Sequence, residues 1–221
     1  MRLHHFVSTV ASLRFQDTFN PYSDRCSIYD RNDAPCRRSE ALSRMVIRAQ
    51  NVGVDSIWVG RDLGYRGGRR TGMALTDDVH MECHARRWDF SAKRPTVGKV
   101  VAERTASVVW GMLNSIDARV FLWNVFPLHP HEADAPFTNR QHNAAERRTG
   151  EEILSMLIQL LRPTRVVAIG NDAGAAVTRV SGSTPTITVR HPSYGGQRQF
   201  ERQVGELYEL YNKPILSVHS R

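Results

Sequence analysis

A carboxylate, an amide and an imidazole (Asp62, Asn124 and His191) each stand at or just beyond the end of a short apolar run. Asp62 lies in the stretch from Val54 to Asp78, where a β-branched and aromatic run over 55–59 enters Gly60, Gly64, Gly67, Gly68 and Gly72. Such a backbone can turn sharply and let a ligand approach closely, so Asp62 is a candidate site residue. A glycine-rich strand exit could also cradle a nucleotide phosphate, but this one lacks the P-loop lysine pattern and the spacing of a dinucleotide fingerprint. Asn124 is the polar residue in RVFLWNVF; a buried amide must find partners, and loop backbone would satisfy it as well as a ligand would. His191 opens HPSYGG, and a lone histidine beside proline is ordinarily structural. Two further sets, His80, Cys83 and His84, then His129, His131 and Glu132, have metal-ligating side chains, but no fourth ligand at a recognisable spacing completes either. No metal and no cofactor is expected.

Composition bounds the partners. The chain has 221 residues, 41% of them hydrophobic, which is enough for one substantial core, and one domain over 1–221 is expected. The formal net charge is +8, carried by 27 Arg against 3 Lys. GC-rich coding would explain the ratio but not the excess, and the excess favours a polyanion, because neutralising phosphates releases counterions. Cys26, Cys36 and Cys83 fit no zinc ribbon or finger and read as reduced thiols. The apolar run 6–13 fails as a signal peptide, and no segment approaches the ~20 apolar residues of a membrane span. A soluble, intracellular protein is expected, with nucleic acid ahead of a membrane as its partner.

The elements that must position the three residues follow from periodicity. Apolar steps of three and four predict a covering helix over 2–16, and residues 20–38 read as a long surface loop. Ser39 looks like the N-cap of a helix ending near Asn51. Further helices are predicted over 97–115, 144–161, 172–179 and 199–211, and strands over 55–59, 119–126, 165–169 and 186–189. Residues 77–95 read as irregular; Trp88 and Phe90 lie there among Arg86, Arg87, Lys93 and Arg94, either to stack on bases or to pin a loop onto the core. Strands alternating with helices predict an α/β fold, a three-layer α/β/α sandwich with a central four-stranded parallel sheet. Ligands bind beyond the carboxyl ends of such strands, where Asp62, Asn124 and His191 would gather.

GRDLG at 60–64, LWNVFPLHPH at 122–131 and HPSYGG at 191–196, in this order and each closing a strand, resemble the uracil-DNA glycosylase superfamily over about residues 40–211. GYRGGRRTG, Glu103-Arg104-Thr105 and RHPSYGG look most like a bacterial branch distinct from the first family. The resemblance implies that Asp62 positions a water and stabilises a sugar cation. It implies that His191 donates to the uracil oxygen on which charge grows, and that Asn124 reads the Watson-Crick edge of an extruded base. Gly60, Arg61, Gly64, Tyr65 and Leu75 fall in the substrate-binding loop. Ser193, Tyr194, Gly195, Gly196, Gln197 and Arg198 fall in the DNA-gripping loop, with Tyr194, Gln197 or Arg198 as candidates for the wedge. Two positions depart from the first family. Gly64 stands where a tyrosine bars the thymine methyl, with Tyr65 following, and Leu75 stands about where an aromatic ring stacks on the base, a task left open to Trp88 or Phe90. Lys93, Lys99 and Lys213 lie outside the motifs, so no strand-cleaving lyase step is expected.

The implied activity is hydrolysis of the N-glycosidic bond of uracil in single- or double-stranded DNA, as in base excision repair, by a cytoplasmic monomer associated with the nucleoid through DNA and not with a membrane. The alternatives are a glycosylase for hypoxanthine, xanthine or mismatched thymine, or a nucleic-acid-binding protein that kept the fold without the chemistry.

Overall fold

The computed structural model describes residues 3–211; Lys213 lies outside them. In chain order the elements are α1 (Leu3–Ser12), β1 (Thr18–Phe19), α2 (Ala34–Val52), β2 (Ser56–Asp62), α3 (Gly68–Thr71), α4 (Met81–Arg87) and α5 (Arg104–Leu113). They continue with β3 (Val120–Phe126), β4 (His129–Pro130), α6 (Ala144–Leu161), β5 (Arg165–Ile169), α7 (Asn171–Val180), β6 (Thr186–Val189) and α8 (Gln197–Leu207). Four parallel strands pair in the order β3-β2-β5-β6, and β1 and β4 form a small antiparallel ribbon. Alternate residues of the sheet feed two cores. Ile57, Val59, Phe121, Trp123, Val166 and Ala168 pack under α1, α2, α6 and α7. Trp58, Val120, Leu122, Val167 and Val189 pack under α5 and α8. Both faces are therefore covered, as a parallel sheet requires, and the expected three-layer α/β/α architecture is the one observed.

The chain winds from β2 out to β3, then back across β2 to β5 and on to β6. The direction of winding therefore reverses between β2 and β5, and at such a switch point the strand ends splay and leave a crevice. Asp62 ends β2, Gly170 follows β5 and His191 lies two residues beyond β6. Register puts Gly60 opposite Asn124 and Asp62 opposite Phe126. The first strand thus carries Asp62 as its last paired residue, three positions beyond the predicted strand end, and the turns begin after it.

Helix α1 ends at Ser12 rather than at 16, and α8 spans 197–207 rather than 199–211. Three further boundaries move where a buried charge competes with local pattern. Helix α2 begins at Ala34 rather than Ser39, with Pro35 in its first turn. Arg38 is fully buried against Asp30, and its Nε donates to the carbonyl of Arg70 at 2.9 Å. Part of the expected surface loop is therefore core: Tyr22 is buried and its hydroxyl donates to the Gly72 carbonyl at 2.9 Å. Residues 97–103 are not helical. The carboxylates of Asp77 and Asp78 accept the backbone N–H groups of Glu103 (2.7 Å) and Val101 (3.2 Å), which holds the segment extended until α5 starts at Arg104. The irregular stretch 77–95 contains α4, in which Asp77 also accepts the N–H of the N-cap residue His80. Trp88 is buried against Phe121, with ring centroids 5.6 Å apart; it pins the loop and presents no face to a base.

Removing one partner of a fully buried ion pair strands the other charge, which typically costs about 3–5 kcal/mol. Arg38→Ala should lower the unfolding free energy by that amount in urea titration, with an unchanged slope; a loss under about 1 kcal/mol would contradict the central role given to this pair.

Candidate active site

The carboxyl ends of the sheet open into a cleft of about 570 Å³ lined by Arg61, Asp62, Gly64, Leu75, Glu103, Asn124, Gly170, Asp172, Arg190, His191, Ser193 and Tyr194, among others. The three residues singled out by chemistry therefore share one cavity. Of the other expected residues, Arg61, Gly64, Leu75, Ser193 and Tyr194 line it as well. Gly60 lies directly behind it: a Cβ there would stand 2.9 Å from Asn124 Nδ2 and 3.0 Å from Leu75 Cδ2, so only glycine lets the amide and the leucine close over the strand. Tyr65 turns its backbone N–H to Asn139 Oδ1 at 3.0 Å and its ring under Arg66, and it is not part of the lining. Gly195, Gln197 and Arg198 flank the cleft without lining it, and Gln197 bonds Glu201 within α8. Gly196 packs so close to the His191 carbonyl that a Cβ would collide with it.

Asn124 is tied on one side only. Its Nδ2 donates to the Asp62 carbonyl at 2.9 Å, while its Oδ1 is sealed from solvent and accepts nothing among the described residues. An unpaired buried acceptor costs about 1–3 kcal/mol, and Asn124 belongs to the cleft lining. Leu75 closes over the same spot in the left-handed backbone region, φ 52°, which is rare for a branched apolar residue. Its carbonyl is held by Trp110 Nε1 at 3.2 Å. Trp88 and Phe90 do not line the cleft, so neither supplies a stacking ring; Phe90 sits in a separate surface groove, near Arg44.

Asp62 has a side chain only 7% exposed. Arg61 Nε donates to its Oδ2 at 2.7 Å, and His142 Nδ1 makes a short hydrogen bond to its Oδ1. Asp172 then holds Arg61 and Gln141, at 3.2 Å each, tying the loop before α6 to the start of α7. The carboxylate is thus fixed in orientation by two donors at the wall of the cleft. His142 escaped the sequence reading because it sits in a loop rich in Pro, His and Asn; only the contact across 80 residues reveals it.

His191 has a defined tautomer. The Ser193 backbone N–H donates to Nδ1 at 3.2 Å, and the Ser193 hydroxyl lies 2.7 Å from the same atom. Nδ1 is the acceptor, so the ring proton sits on Nε2. Burial, then the positive charges of Arg61 and Arg190, lower its pKa below the usual 6.5, with Asp172 opposing. The ring is neutral at pH 7 and offers one N–H donor. Tyr194, next to it, is 97% exposed and also in the left-handed region at φ 51°. A large ring is held out in solvent by the backbone rather than by packing.

The metal-ligating sets are occupied otherwise. His80 bonds Asp77, His84 bonds Thr76 Oγ1, and His129 lies between Arg69 and the Thr138 carbonyl. Among the described residues no group of three or more His, Cys, Asp or Glu is arranged to hold a metal ion, and no helix is long and apolar enough to cross a membrane.

The family model described as the uracil DNA glycosylase superfamily matches residues 59–213. No curated protein matches the chain. A crystal structure of wild-type SMUG2 from Pedobacter heparinus is similar in fold, with a TM-score of 0.63 at 15% identity over 96% of this chain and 98% of that one.

The neutral imidazole is directly measurable. In nitrogen-detected NMR the His191 ring should titrate below pH 6.5 and carry its proton on Nε2 at pH 7; a midpoint above 6.5, or a proton on Nδ1, would contradict the assigned geometry.

Proposed function

The chain belongs to the uracil DNA glycosylase superfamily, and from that premise we propose that it is a monofunctional uracil-DNA glycosylase of base excision repair. It acts on a deoxyuridine extruded into the cleft and leaves an abasic site. The observation that carries this reading is the half-paired amide of Asn124. Uracil presents an N3–H donor beside an O4 acceptor, and the amide has an Oδ1 with no partner among the described residues beside an Nδ2 with one hydrogen to spare. Cytosine presents N3 as an acceptor and would leave Oδ1 buried and unmatched. Sites built on such pairing reject the wrong pattern strongly.

The reaction then follows from the positions of the charges. The bond between C1′ and N1 breaks with its electron pair leaving on the base, so the sugar becomes cationic and the uracil anionic. Asp62, held by Arg61 and His142, faces the sugar cation, orients a water toward C1′ and passes its proton on to solvent. His191 Nε2–H donates to O2, where the negative charge collects. A neutral donor suits this task, since it stabilises the anion without transferring its proton. The products are free uracil and a sugar hydroxylated at C1′. No lysine lines the cleft among the described residues, which supports a hydrolytic reaction without strand cleavage.

DNA is the partner this reading requires. Tyr194, exposed at the cleft rim beside Gly195, is suited to fill the gap left in a duplex by the extruded nucleotide, with Gly196, Gln197 and Arg198 following it along the backbone. A glycosylase for another deaminated base remains the second reading, because Leu75 brings no ring to grip a pyrimidine and the cleft is roomy. The convergence of Asp62, Asn124 and His191 in one cavity disfavours a protein that merely binds.

Single-turnover release of base from oligonucleotides separates these readings. Uracil should be released, and Asp62→Asn and His191→Ala should each slow release by about 10²–10³-fold while DNA binding is retained. No uracil release from either strand form would overturn the proposal. Tyr194→Ala should slow release from duplex at least about tenfold more than from single strands, since only a duplex has a gap to fill; equal effects would remove Tyr194 as the wedge.

A further inference from the structure

The carboxyl of Glu103 forms a wall of the cleft that the reaction above leaves unused. It arrives from the N-cap of α5 and lies on the glycine loop: a Cβ on Gly64 would stand 3.1 Å from Oε1, and one on Gly67 would collide with Oε2. The carboxyl therefore fills the space that side chains of the loop would otherwise take. It has little room to withdraw. The loop backbone is directly behind it, and its own backbone N–H is anchored 2.7 Å from Asp77 Oδ2, while Asp77 Oδ1 holds both the N–H and Nδ1 of His80. The carboxyl makes no hydrogen bond among the described residues. Burial, with the negative charge of Asp77, pushes its pKa up to about 7, and Arg66 is the cation that opposes this.

Building on the uracil reading of the cleft, we propose that Glu103 is a specificity-determining residue: it meets the C5–C6 edge of the bound base and excludes a substituent at C5. A uracil joined to its sugar through N1 has three edges left. His191 takes O2, and Asn124 takes N3 and O4. The C5–C6 edge is left to the side of the cleft that carries the glycine loop, where Glu103 stands beside the bare Gly64. A C5 hydrogen fits against a carboxyl oxygen. A methyl group there would press on a side chain backed by glycine backbone and would strip its hydration without returning a hydrogen bond. Glu103 thus does from α5 what no side chain of the glycine loop at Gly64 can do.

The test is the ratio of thymine to uracil release from otherwise identical oligonucleotides carrying T·G or U·G. Wild type should release uracil and strongly disfavour thymine. Glu103→Ala should raise the thymine-to-uracil ratio about 10–200-fold, the range in which one methyl group is discriminated by a pocket, and Glu103→Gln, equal in size, should keep the wild-type ratio. An unchanged ratio in Glu103→Ala with uracil still released would overturn this inference alone, whereas a wild type that releases no uracil would overturn the reading beneath it. Inhibition of the wild-type protein by the free bases gives the same answer without a variant: uracil should compete at least about tenfold better than thymine, and equal competition would sink the role of Glu103.

Discussion

The amide of Asn124 is anchored through its nitrogen to the end of the neighbouring strand, and its oxygen, sealed from water, has no donor among the described residues. A buried acceptor without a protein partner costs about 1–3 kcal/mol, and the surrounding residues hold the amide in this position. The parallel register sets Gly60 opposite Asn124, where any side chain would displace the amide. Leu75 is held over the same point in a backbone conformation that a leucine seldom adopts. Beneath the glycine loop, Arg38 and Arg70 pair with Asp30 and Asp78 in the interior, and Arg69 stacks on Phe19 at 3.9 Å while reaching His129. Three buried guanidinium groups make a rigid base for a loop whose glycines would otherwise leave it mobile.

Topology supplies the other two groups. Reversal of winding between β2 and β5 puts Asp62 and Gly170 at the crevice, and β6 hands over His191 two residues later. At Gly170, φ 91°, a Cβ would stand 3.2 Å from the His191 Cβ, so a side chain there would crowd the imidazole. The charges then sort themselves by environment. Asp62 is braced by a guanidinium and an imidazole, whereas His191 is kept neutral by burial and by neighbouring arginines. An anion on one side of the cleft and an uncharged donor on the other match a bond that breaks into a sugar cation and a base anion.

Much of this was legible in the residues. The third and fourth strands of the sheet begin and end where periodicity put them, and α6 does too, with Asn143 and Glu146 forming a reciprocal cap. The gathering of Asp62, Asn124 and His191 followed from strand ends alone. What escaped depended on distant charges. Nothing local in residues 97–103 says that Asp77 and Asp78 will hold them extended, and nothing near residue 34 says that Arg38 must turn inward to meet Asp30. Glu103 stood out only as part of the Glu103-Arg104-Thr105 stretch and without a site role, and His142 lay inside a predicted loop, so neither stood at a strand end. Trp88, an aromatic among arginines, read equally as a stacking platform and as a pin holding a loop onto the core, and the core took it.

The most direct measurement of the central claim is a crystal structure of the protein with free uracil. The account predicts the base in the cleft with Asn124 Oδ1 accepting from N3–H and Nδ2 donating to O4, and His191 Nε2 donating to O2, each at about 2.7–3.2 Å. A base bound elsewhere, or one in this cleft with Asn124 Oδ1 still unpaired, would contradict it.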